Sequence, residues 1–150
     1  MVKVGDVFEI QTVKGRAYFQ YFGKAPLMGA LIRVLPGVYD AEPELSKLVE
    51  EKTNFWVFFP VSASLKQGVI KKKGNFPLPS HSKEMPVFRS GTINQETKKV
   101  NTWWFWDGEQ SWKVGNITDE QRKMPIKAVW NDTLLIKRIE DGWLPEKDAF

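Results

Sequence analysis

Beyond Gly5 the chain alternates. Phe8 and Ile10 fall on one side of an extended segment, Glu9 and Gln11 on the other, the period of two expected of a half-buried strand. Val13-Lys14-Gly15-Arg16 reads as a turn in which glycine supplies an unusual backbone angle. The aromatic run Ala17–Phe22 returns as a second strand, so the N-terminus predicts a hairpin. Gly23, Pro26 and Gly29 break the pattern. Ala30–Leu35 then reads as a third strand, stopped by Pro36-Gly37.

Glu42–Lys52 predicts a helix. Pro43 suits the first helical position, acids cluster at the start, and Leu45, Leu48 and Val49 make one apolar stripe. Phe55–Phe59 is a continuous apolar run, the signature of a strand covered on both faces, and the helix is expected to cover one of them. Val61–Pro86 is the least regular part. Its segments Lys71–Asn75 and Phe76–Pro79 read as loop, or as a short strand with irregular flanks.

Pro86–Arg89 reads as an edge strand. Val100–Trp106 is a strand with Thr102, Trp104 and Trp106 on one face and Trp103 and Phe105 on the other. Asp107-Gly108 turns it back into Ser111–Val114, a second hairpin. Thr118–Gln121 starts a short helical turn. In Asn131–Gly142, Leu134, Leu135, Arg138 and Ile139 fit one helix face, with Asn131 or Asp132 capping the start and Gly142 ending it. These elements predict a mainly β, α+β domain over residues 1–150: a strongly bent antiparallel sheet or small β-barrel carrying two or three short helices.

Composition removes several chemistries. There is no cysteine, so there is no thiol nucleophile or thiolate metal site, and the single histidine, His81, cannot build a multi-histidine centre. No glycine loop of the phosphate-cradling kind and no nucleophile elbow is present. Asp6 and Glu9 lie three apart on a strand and point to opposite faces, which makes a poor acid/base pair. His81 stands between Ser80 and Ser82 without a third group to orient it. No segment approaches the roughly 20 apolar residues that span a bilayer. The chain reads as a soluble, cytoplasmic domain with no catalytic residue, no metal and no cofactor.

Charge is uneven. The formal net charge is +4, yet Lys66–Lys99 holds eight basic residues and two acidic ones, while Asp40, Glu42, Glu44, Glu50 and Glu51 form an acidic district. Either district can steer a partner of opposite sign. Lys71, Lys72, Lys73 and Arg89 beside Phe76 also fit phosphate contact with base stacking, so a basic β-domain binding single-stranded nucleic acid is the alternative reading. Among the clustered tryptophans, alternation assigns Trp104 and Trp106 to the core and leaves Trp103 as the candidate partner contact.

The opening Lys3–Ile10 followed by Gly15–Gln20 resembles the start of the bacterial immunity protein 26 family, and Ile126–Trp130 with Ile139–Trp143 is similar to that family's close. The resemblance implies a mostly β protein from a polymorphic-toxin locus that binds and occludes a cognate protein toxin in the cytoplasm. No catalytic residue and no toxin-binding face comes with the family. The candidate partner-binding residues are therefore those with surface chemistry: Asp40, Glu42, Glu44, Trp103, Lys71, Lys72, Lys73 and Arg89. An immunity protein against a basic nuclease is expected to be acidic. The net +4 departs from that expectation, which leaves the acidic district or a toxin of another kind.

Overall fold

The computed structural model describes all 150 residues, Met1–Phe150. Eight strands form two antiparallel sheets. The first has the order β4-β3-β2-β1-β5, from β1 (Asp6–Thr12), β2 (Gly15–Ala25), β3 (Gly29–Val34), β4 (Phe55–Phe58) and β5 (Ile70–Asn75). The second is a meander of β6 (Phe88–Ile93), β7 (Val100–Trp106) and β8 (Ser111–Gly115). Three short helices accompany them: α1 (Leu45–Leu48), α2 (Val61–Lys66) and α3 (Asp132–Glu140). The sheets stay open, so of the two predicted architectures the bent sheet stands and the barrel does not. None of the helices is long and apolar enough to cross a membrane.

The N-terminal hairpin follows its pattern. Phe8 and Ile10 pair with Phe19 and Ala17, and all four enter the main core with Ile32, Val34, Phe55 and Val57. The opposite face is also covered. Val7, Tyr18 and Leu35 pack beneath Leu45, Leu48 and Val49. The helix therefore lies over β1 and β2, not over β4 as its place in the sequence led us to expect. The two faces of β4 are covered by other elements: Phe55 meets Trp130 and Trp143, and Phe58 meets Phe88 and Trp106 of the second sheet.

α1 is shorter than the predicted Glu42–Lys52. Glu44 is extended at its start (φ −71°, ψ 103°). At its end the carbonyls of Val49 and Glu51 turn inward to accept from the Arg33 guanidinium, which satisfies acceptors that a longer helix would have used internally. α3 matches its expectation more closely. The Asn131 side chain accepts from Leu134 N–H at 2.8 Å, and Gly142 takes a left-handed φ of +64° just past the helix.

A stretch outside any named strand ties the sheets together. Phe58 N–H donates to Ala128 and Trp130 N–H to Phe58; Arg89 N–H donates to Pro125 and Lys127 N–H to Arg89. Residues 125–130 thus run parallel to β4 on one side and β6 on the other. This covers the end of β4 at Phe58 and the start of β6 at Arg89, and it leaves β5 and β8 without such a cover.

Candidate functional site

The structure redistributes the residues that the sequence pointed to. Lys72 stands 3.3 Å from the carboxylate of Asp6, and Lys73 2.8 Å from that of Glu42. The basic and acidic districts therefore meet across β1, β5 and the loop before α1, and they neutralise each other in part. Lys71 has no carboxylate partner. Glu44 is engaged by Lys47 at 3.3 Å, and Asp40 is exposed and unpaired. Beside them Pro36, Tyr39, Glu44, Lys47, Leu48 and Glu51 line an open depression of about 460 Å³.

Arg89 is not a surface cation. It is fully buried. Its Nη2 donates to the carbonyls of Pro145 (2.7 Å) and Arg122 (3.3 Å), and its guanidinium lies 4.5 Å from the centre of the Trp103 ring. Burial and the nearby Arg122 lower its pKa to about 10, which still leaves it charged at neutral pH. Trp103, the expected partner contact, is buried with it. Trp104, expected in the core, is 43% exposed, and Trp112 on the neighbouring strand is 42% exposed.

The reason for the exchange lies in where the cover ends. Trp104 and Trp106 share a face of β7, opposite Ser90 and Phe88, but only Trp106 reaches Phe58 of the first sheet. The other face, with Arg89 and Trp103, is closed by the Met124 and Pro145 segments. Trp112 lies across from Phe105, so Trp112 on the edge strand β8 and Trp104 on the central strand β7 are exposed on opposite faces of the second sheet.

Two buried polar centres stand apart from the predicted contacts: Asp6, which the sequence offered only as a poor acid/base partner of Glu9, and Arg33, which it did not single out. Asp6 is fully buried, accepts from Lys3 N–H at 2.8 Å and Asn75 Nδ2 at 2.9 Å, and faces Lys72. Burial raises its pKa, but the Asn75 and Lys3 hydrogen bonds and the Lys72 charge outweigh it, and the net shift is downward. Arg33 is fully buried. It donates through Nη1 to Gln20 Oε1 (2.6 Å), through Nε to Thr53 (2.8 Å) and through Nη2 to the Glu51 carbonyl (2.8 Å). Its pKa is lowered to about 10 by desolvation. Its signal in the sequence was a lone charge inside the apolar run Leu31–Leu35.

His81 sits in a single helical turn at Ser80–Ser82, its Nδ1 2.9 Å from Ser82 Oγ and its Nε2 3.0 Å from the Glu50 carbonyl. No three His, Asp or Glu side chains converge on one point. Comparison with protein-family models, with curated proteins and with solved structures finds no significant match.

Proposed function

We propose that the chain is an immunity-type binder that neutralises a protein toxin by covering it. What supports this is that the two terminal stretches carrying the family resemblance, far apart in sequence, pack as one unit. Phe8, Ile10, Ala17 and Phe19 share a core with Trp130, Leu135 and Trp143. Glu140 of α3 accepts from Val13 N–H at 2.9 Å and from Lys14 Nζ at 2.8 Å. Such a unit is a frame, and the intervening chain is the part it presents.

The presented part offers the contact surface. Trp112 stands exposed on the open edge strand β8, and Trp104 is exposed one strand inward, on the opposite face of the sheet. A partner strand added to that edge would lie beside Trp112, joining backbone hydrogen bonds to aromatic anchoring, and Trp104 offers a second indole to a partner that reaches over the other face onto β7. Trp104 and Trp112 therefore replace Trp103 and Arg89 as the proposed contacts. The nucleic-acid reading gains nothing from the arrangement, since Lys72 and Lys73 face carboxylates and Arg89 is enclosed.

The test is co-expression with the product of the neighbouring toxin-like gene. The wild-type chain is expected to rescue growth and to co-purify with the toxin. Trp104→Ala with Trp112→Ala should weaken the complex by about 2 kcal/mol or more, the loss usual for an aromatic anchor, while leaving the thermal midpoint near the wild-type value. No complex and no protection would sink the reading.

A further inference from the structure

α3 presents Leu134, Leu135 and Ile139 toward the core, and Arg138 lies on that same stripe. A charge in such a place ordinarily brings a counter-ion. Arg138 has none. Its guanidinium carbon lies 5.8 Å from the centre of the Trp130 ring and 5.4 Å from that of Trp143, and its Nε is buried without an acceptor. Of the acids next to it in sequence, the Glu140 carboxylate accepts from Val13 N–H and that of Asp141 pairs with Lys137 at 3.0 Å.

Arg138 is the one residue common to two clefts of about 200 Å³ each. One, beside Trp103 and Trp130, also carries Lys127 and Asp148, and that carboxylate competes with an anion for the two cations. The other is walled by Val34, Leu35, Val38 and Ile139 and contains no acid. Trp143 lines it, is 94% enclosed by the relative exposure of 6%, and has an indole N–H with no acceptor. Asn54 stands exposed at its rim. One small cleft is thus lined by a cation with no carboxylate partner, by a tryptophan whose buried indole N–H lacks an acceptor, and by an aliphatic wall. Buried donors are nearly always paired, and a guanidinium is shaped for a carboxylate.

We infer that the cleft between α3 and the β3 end, built on Arg138 and Trp143, is a binding site for a short aliphatic carboxylate. Its volume is below that of ordinary small-molecule pockets and admits a carboxylate on a stem of a few carbons. A free acid and the glutamate side chain of a partner protein supply the same chemistry.

The experiment follows the seven indole N–H signals of the full chain by NMR, with Trp143 assigned through Trp143→Phe. Butyrate is titrated against butylammonium and sodium chloride, and separately a blocked pentapeptide with one central Glu is titrated against its Gln counterpart. The expected result is a saturable shift of the Trp143 signal with butyrate or with the Glu peptide, and with neither the cation nor chloride. The effective ligand identifies the source. Arg138→Gln should weaken binding tenfold or more. Arg138→Lys, which keeps the charge if the Gln variant fails to fold, should weaken it less. Absence of a saturable Trp143 shift with both carboxylates, an equal response to chloride, or undiminished affinity in both Arg138 variants would overturn the site.

Discussion

At the scale of single residues, the molecule is held by a few buried polar groups whose partners are mostly backbone. Asp6 serves β1, β5 and the N-terminal turn at once. Its folded-state pKa lies below the unfolded value. Its contribution is therefore present above the ordinary carboxylate range and is lost as pH falls through the folded pKa. Asp6→Ala should cost about 1–3 kcal/mol at pH 7, since it removes the acceptor of Lys3 N–H and of Asn75 from the interior, while Lys72 returns to solvent. The difference from wild type should shrink below about pH 4, because the wild type loses the same interactions on protonation. Urea titrations from pH 7 to pH 2 measure both effects. Arg33→Met keeps the bulk but strands Gln20 and the carbonyls of Val49 and Glu51. It should cost about 3 kcal/mol in the same titration at pH 7, and a loss below about 1 kcal/mol would mean that these acceptors find other partners.

Elements were legible where periodicity was strong and misread where tertiary contacts decided. The β1–β2 hairpin, β3, β4, β7 and α3 follow from alternation, apolar runs and caps written in the sequence. α1 was overextended because the contacts that end it come from Arg33, a residue of another strand. The site was less legible than the fold. Alternation on β7 correctly separates Trp103 from Trp104, but which face is covered depends on the position of Phe58, Met124 and Pro145, and no local pattern encodes that. The lysine run has a plain explanation at this scale. β5 is a free edge, and lysines on an edge discourage pairing with another chain. Lys71→Thr with Lys73→Thr is expected to leave the unfolding midpoint near the wild-type value, since exposed ion pairs contribute little, and to raise light scattering on concentration. Unchanged scattering at high protein concentration would show that the lysines do not guard the edge.

For the whole molecule, the decisive feature is the 125–130 stretch, which exchanges backbone hydrogen bonds with β4 and β6 together. The Phe58, Phe88 and Trp106 cluster packs across the same junction. Two sheets that share a strand-like segment and an aromatic cluster have no free-standing halves. Unfolding is therefore expected to be one transition, with the near-ultraviolet signal of the Trp-rich β6–β8 sheet and the far-ultraviolet signal coinciding. Lys127→Pro removes the N–H that bonds to the Arg89 carbonyl and fixes a backbone angle beside the existing Pro125. The substitution acts at the junction without touching either sheet's own ladder. Through the lost bond and the loss of the Lys127 ammonium from over the Trp106 ring, it should lower stability by about 1–3 kcal/mol and separate the two signals, the near-ultraviolet transition moving to lower denaturant. If the signals still coincide at the wild-type midpoint, the aromatic cluster alone couples the sheets and the backbone seam is dispensable. A separation would mean that the β8 edge with Trp112 is carried on a sheet held to the terminal frame mainly by hydrogen bonds, so that a partner gripping that edge would stabilise the whole fold by binding it.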